Sequence, residues 1–220
     1  MKEFIKRRRL VPLAAWLAVY MALFVYQEIF EPEQVTIISC WLDKLIPHVP
    51  AFVYPYLSWF PYIVVCAVLA LRNLDDKDYR KAVLILVTGM NIFLLITYVW
   101  PTGLDFRESI TYDTSTLSGW LMKFVQTVDT PKGVFPSMHV FVTLVLQYTL
   151  ELQKEKLPGW GVFTGRCFAA AIILSTMFTK QHSALDVIAA IFMFAALSWA
   201  FEAALSGRGE KVRFRKEQVE

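Results

Sequence analysis

The chain has 220 residues, 56% of them hydrophobic, and a mean hydropathy of +0.46. An ordinary soluble domain is about 45–50% apolar, so the excess must face lipid. The net charge of +3 is small, and its basic residues gather in short terminal runs, which read as topology signals and exclude a nucleic-acid partner.

Met1 to Leu10 carries Lys2, Lys6, Arg7, Arg8 and Arg9 ahead of an apolar run to Tyr26. No small-x-small cleavage site follows, so a retained first membrane helix is expected. A bilayer core needs about 20 mostly apolar residues per helix. Six segments qualify: 10–30, 51–71, 82–101, 135–152, 162–180 and 184–205, the fourth being the shortest. Together they predict an all-α, six-helix transmembrane bundle forming one membrane domain over 1–220. Cys40, Cys66 and Cys167 lie far apart without CxxC spacing, which speaks against a disulfide framework or a zinc site.

Loop charge sets the expected orientation. Arg72, Lys77, Arg80 and Lys81 lie in the second connection, and Lys154 and Lys156 in the fourth. Arg208, Lys211, Arg213, Arg215 and Lys216 lie in the tail over 206–220. With six spans these share one side with the N-terminus. The positive-inside rule makes that side cytoplasmic, with both termini there. The loops 31–50, 102–134 and 180–183 then face outward. Two of them hold apolar residues at helical spacing: Ile37, Ile38, Trp41, Leu42, Leu45 and Ile46, and Leu117, Trp120, Leu121, Phe124, Val125 and Val128. Each suits a helix packed on the bundle or one lying in the membrane interface.

Polar chemistry collects at the outer helix ends. In the run from Thr179 to Asp186, His182 and Asp186 stand four apart, on one helix face if the sixth helix has begun. A carboxylate beside an imidazole holds one ring nitrogen protonated and leaves the other to attack. The plainer reading makes Asp186 a first-turn acid at a helix N-terminus. Lys180 adds positive charge nearby. In Phe135-Pro136-Ser137-Met138-His139, proline and serine mark a helix start whose N–H groups suit an anion. Arg107, just past the third span, offers a forked donor matched to phosphate or a partner for Asp105. His48, beside Pro47, is given no role.

Together these pieces resemble the type 2 phosphatidic acid phosphatase superfamily, whose pattern is a lysine and an Arg-Pro pair, then Pro-Ser-x-His, then Ser-Arg-x5-His-x3-Asp. Pro136, Ser137 and His139 match the second motif, Ser175, His182 and Asp186 the third, and Arg107 the first-motif arginine. Trp100 stands where the first-motif lysine would fall, Glu108 follows Arg107 in place of proline, and Thr176 and Met138 replace an arginine and a glycine. Pro101-Thr102 and Lys-Gln-His look like the inositol phosphorylceramide synthase-like branch.

The resemblance implies a membrane lipid phosphatase, placed here in a bacterial plasma membrane with an extracytoplasmic site and no cofactor or metal. Its partners would be a lipid phosphate substrate and membrane lipids. It implies His182 as nucleophile through a phosphohistidine, Asp186 as its orienter and His139 as acid and base. Arg107, Lys180 and Ser137 would bind phosphate. A lipid phosphotransferase and a non-enzymatic protein on the same scaffold are the alternatives.

Overall fold

The computed structural model describes residues 2–29, 32, 34–107 and 110–217, except the side chains of 2–8 and 206–217. Glu108 and the side chains of the basic tail fall outside that description. The chain is mostly helical. Helix α1 spans Lys2–Ile29, α2 Trp41–Leu45, α3 Val53–Leu57, α4 Trp59–Asn73 and α5 Asp76–Val99. Helix α6 spans Leu117–Val128, α7 Met138–Glu151, α8 Gly159–Phe178 and α9 Ala184–Glu217.

Local chemistry sets the helix ends. Asp75 caps α5 by accepting the Asp78 N–H at 2.8 Å, and Pro101 follows its last turn. Thr116 caps α6 through the Gly119 N–H, and Ser137 caps α7 through the Val140 N–H.

Helix α7 occupies the centre, in contact with α4, α5, α8 and α9. Val140, Phe141, Val145, Leu146 and Leu150 are buried there against Tyr62, Cys66, Ile85, Ile172 and Val187. Gly89 of α5 is required at this contact, because a Cβ there would lie 2.0 Å from Cζ of Phe141. Helix α1 is peripheral and packs on α5 through Tyr20 and Phe24 against Phe93 and Leu94.

Among the described residues, five helical stretches are long and apolar enough to cross a membrane: Arg9–Ile29, Pro50–Asn73, Asp76–Val99, Gly159–Phe178 and Ala184–Leu205. The second joins a 3-10 turn at Pro50–Phe52 to α3 and α4. The expected fourth span, 135–152, is a helix of only 14 residues, about 21 Å long at 1.5 Å per residue. A bilayer core is about 30 Å thick. Ringed by four helices, α7 can stop short of that thickness because its backbone ends meet protein.

The elements alternate in direction. Arg9 of α1 pairs with Asp76 at the start of α5, and Lys156 after α7 donates to the Asn73 carbonyl at the end of α4. Lys81 of α5 meets Glu202 of α9 at 2.6 Å. These contacts define one end of the bundle. The ends of α5 and α8 and the starts of α7 and α9 define the other, which the connections 34–52 and 101–137 cap. In that cap Thr36–Ile37 (β1) pairs in parallel with Thr102–Gly103 (β2), and Gly103 bridges to Lys132.

The amphipathic reading of 37–46 shortens to a five-residue helix, because Thr36–Ile37 are drawn into the strand pair and Pro47 ends α2. The second stretch is α6. It buries Met122 and Val125 against Val53 and Tyr56 and exposes Leu117, Trp120, Phe124 and Val128.

Candidate active site

Helix α8 ends at Phe178, and the chain reverses through Lys180, whose φ of 60° lies in the left-handed region. For a lysine that conformation costs on the order of 1 kcal/mol. The turn is held by the N–H groups of Gln181 and His182, which both donate to the Thr176 carbonyl at 2.9 and 3.0 Å. Helix α9 begins at Ala184, so His182 precedes the helix rather than sharing a helical face with Asp186. The pairing arises differently. Asp186 sits at the third helical position and reaches back, as an acid does in a capping box. Its Oδ2 accepts the Ser183 N–H at 2.9 Å and lies 3.3 Å from His182 Nδ1. That contact turns Nε2 of His182 away from the carboxylate and leaves it available for chemistry.

His139 is the second residue of α7. Its ring lies 4.8 Å from Tyr56, 4.4 Å from Trp59 and 5.6 Å from His182, centroid to centroid. The two histidine rings therefore meet edge to face, close enough for both to act on one small group. Ser137 N–H donates to the Asp186 carbonyl at 3.1 Å, which ties the start of α7 to the start of α9. The Ser137 oxygen caps α7, leaving its O–H as the part that can donate outward.

Arg107 is 5% exposed. Its Nη2 donates to the Asp129 carbonyl at the end of α6, and its Nη1 has no hydrogen-bond partner among the described residues. Lys180 is more committed. Its ammonium donates to the carbonyls of Asp43 and Ile46 and stands 5.7 Å from the Phe106 ring. Burial pushes the Lys180 pKa down, and Asp43 pushes it partly back up. Two of its three donors thus hold the cap on the α8–α9 turn. The structure brings His139, His182, Asp186 and Ser137 together and sets Arg107 and Lys180 in the cap above them.

Several residues in this neighbourhood carry no local sequence signal. Buried Asp43 accepts the Ser183 hydroxyl at 2.6 Å, the Ala184 N–H at 2.8 Å and the Cys40 N–H at 2.7 Å. It locks the first connection onto the start of α9. Tyr56 donates to Asp129 Oδ2 at 2.7 Å while stacking on His139. The only available hint was an Asp inside an apolar loop stretch, at position 43.

Among the described residues, no three His, Cys, Asp or Glu side chains converge as metal ligands. What the arrangement offers is a paired imidazole, a second imidazole opposite it, and an arginine with a donor in hand. A profile described as the PAP2 superfamily matches residues 41–200, which contain every one of these groups and leave out α1. Searches of curated proteins and of solved structures returned no match.

Proposed function

We propose that this chain, which belongs to the PAP2 superfamily, is a membrane phosphatase that hydrolyses a lipid-linked phosphate through a phosphohistidine. Membership indicates phosphatase-type activity on phosphate esters, and the five long apolar helices mark an integral membrane protein. The observation that carries the finer reading is His182, paired with Asp186 at 3.3 Å and facing His139 at 5.6 Å.

In this reading His182 Nε2 attacks phosphorus while the bond to the leaving oxygen breaks. Protonated His139 gives that oxygen its proton. Neutral His139 then takes a proton from water, which attacks the phosphohistidine and releases phosphate and free His182. Asp186 holds the Nδ1 proton and stabilises the imidazolium. Arg107, Lys180, Ser137 and the first N–H groups of α7 stabilise the equatorial oxygens. No metal is needed for that charge.

The decisive experiment offers purified protein in detergent a panel of lipid monophosphates and diphosphates, with free phosphate and transferred product both measured. Release of phosphate that His182→Ala abolishes supports the reading; release that survives this change, or that requires a divalent cation, sinks it. Transfer to the hydroxyl of a second lipid is the second reading. It is favoured by a cavity of about 390 Å³ between α1 and α5, walled by Phe24, Glu28, Phe93, Tyr98 and Lys132 and reaching Thr102 of the cap.

The chain crosses the membrane six times in this proposal, α7 included, with the capped end outside and both termini in the cytoplasm. The basic residues at Arg9, Arg72, Lys77 and Lys156 stand at the end away from the histidines. In a background lacking the three native cysteines, Thr114→Cys should react with an impermeant thiol reagent in intact cells and Lys77→Cys should not. The opposite pattern would turn the orientation over.

A further inference from the structure

The side chains around the histidine pair close into a circuit. From His182 it passes to His139, then to Tyr56 at 4.8 Å, and by a 2.7 Å hydrogen bond to Asp129. The Asp129 carbonyl holds Arg107. The positive charge of Arg107 reaches Tyr112, whose ring meets His48 edge-on at 5.4 Å. Val49, next to His48, donates its N–H to the Phe178 carbonyl at 2.9 Å, and Lys180 holds the Ile46 carbonyl, which brings the chain back to His182, where the circuit ends. The histidine pair is one wall of this circuit. Arg107, Tyr112 and His48 are the opposite wall, built from the connections before α3 and after α5.

The two walls differ in what they leave unsatisfied. On the histidine side, the buried atoms without a partner among the described residues are two acceptors, Gln181 Oε1 and Asp186 Oδ1, and one donor, Nε1 of the Trp59 indole beside His139. On the opposite wall they are Arg107 Nη1, Tyr112 Oη and His48 Nε2, all of which can donate. A buried donor without a partner is costly, and three in one wall call for a ligand rich in acceptor oxygens. The nearest acid, Asp129, is committed to Tyr56 through its carboxylate and to Arg107 through its carbonyl.

We propose that Tyr112 and His48 extend the Arg107 contact into a second oxyanion subsite, which grips a phosphoryl group adjacent to the one His182 attacks. The inference rests on the phosphatase reading and deepens it, because it gives the site a preference for a lipid diphosphate over the monophosphate of the same chain. His48 serves as a neutral N–H donor, Tyr112 as an O–H donor, and Arg107 spans the two phosphoryl groups. Tyr112 and His48 are specificity residues; the covalent step belongs to His182.

Tyr112→Phe removes one hydroxyl and keeps the ring against His48, and His48→Gln keeps a side-chain N–H donor at a different reach. Each variant is compared with the wild type on a matched lipid monophosphate and diphosphate. The ratio of kcat/KM, diphosphate over monophosphate, should fall about tenfold in Tyr112→Phe, chiefly through KM, as expected for one lost hydrogen bond to a charged group. It should fall less in His48→Gln. An unchanged ratio in a wild type that releases phosphate overturns the subsite and leaves the phosphatase reading standing. A wild type that releases phosphate from neither lipid overturns the phosphatase reading instead. The subsite is then judged by binding alone. Inorganic diphosphate should raise the melting midpoint of the wild type more than inorganic phosphate does, and Tyr112→Phe should remove the difference. Equal shifts from the two anions overturn the subsite independently of turnover.

Discussion

The two ends of the bundle treat buried polar groups in opposite ways. At the end away from the cap most of the buried polar groups among the described residues are answered, Ser198 Oγ one turn before Glu202 being the exception. Buried Lys81 meets Glu202, and Gln153 accepts from Asn73 at 3.0 Å and donates to the Thr149 carbonyl at 2.9 Å. Arg166 makes a two-pronged contact with Glu151 at 2.7 Å. At the capped end, seven of the eight buried side-chain atoms without a partner among the described residues are found; the eighth, Ser198 Oγ, lies along α9. Unanswered polar atoms cost stability. A fold that pairs its groups so much more fully at one end than at the other is what the proposed phosphate site at the second end predicts. On the proposed function, polar groups at one end serve the fold and at the other serve chemistry, and substitution separates the two.

The largest effect belongs to His182→Ala. It removes the only imidazole paired with a carboxylate among the described residues, and turnover of any phosphate ester should fall by more than about a thousandfold, as for loss of a nucleophile. The melting midpoint in detergent should stay close to that of the wild type, because the Asp186 contact to the Ser183 N–H remains. A variant that unfolds as well as losing activity would blur the contrast between the two ends. Arg107→Ala comes next. Loss of one charged donor to the transition state costs about a hundred- to a thousandfold in kcat. Arg107→Lys should recover only part, since a point charge replaces the fork and the Asp129 contact is also disturbed. Full activity in Arg107→Ala would remove it from the site and leave its buried donor unexplained.

The opposite end should answer in the other currency. Gln153→Leu leaves the Asn73 amide without its acceptor, at a cost of about 1–3 kcal/mol. The melting midpoint should drop while kcat, measured below that midpoint, stays near the wild-type value. A kcat loss with no change in melting would show that this end is coupled to the histidines, and the division of labour would fail.

How much of this was legible in the sequence follows the same division. His139, His182 and Asp186 were readable because their signals are local, namely a Pro-Ser helix start and a four-residue spacing. The spacing led to the right pair by a partly wrong route, since the contact comes from a capping geometry that begins one residue after His182. Asp43, Tyr56 and Asp129 were not legible, because each gains meaning only when the first connection, α3 and the end of α6 are folded against one another. The long lipid-facing helices stood out by hydropathy. Helix α7 stood out least, since a helix ringed by protein is free of the length that a bilayer imposes. Lys180 was read as a positive charge for phosphate, and its chain partners, the carbonyls of Asp43 and Ile46, lie 137 and 134 residues earlier, where no pattern could announce them.

The smallest effect concerns protons at the cap. Burial and the nearby Lys180 charge hold the His48 imidazole below its usual pKa, so the folded protein disfavours its charged form. The unfolded chain binds that proton first as pH falls through about 6.5. The stability that comes from keeping His48 neutral is therefore present above that pH and is lost on acidification toward the lower folded value. The groups that face His48 are Lys180 and Tyr112. Burial pushes the Tyr112 hydroxyl up to about 12, so it stays protonated throughout this window and adds no titration of its own. Between pH 7 and pH 5 the melting midpoint in detergent should fall further for the wild type than for His48→Gln. The comparison of slopes isolates His48 from the other groups that titrate in both proteins. Equal falls would mean that His48 takes its proton without penalty. The wall it forms with Tyr112 would then be open to water, and the capped end would owe its unanswered donors to exposure during breathing of the cap rather than to a bound oxyanion.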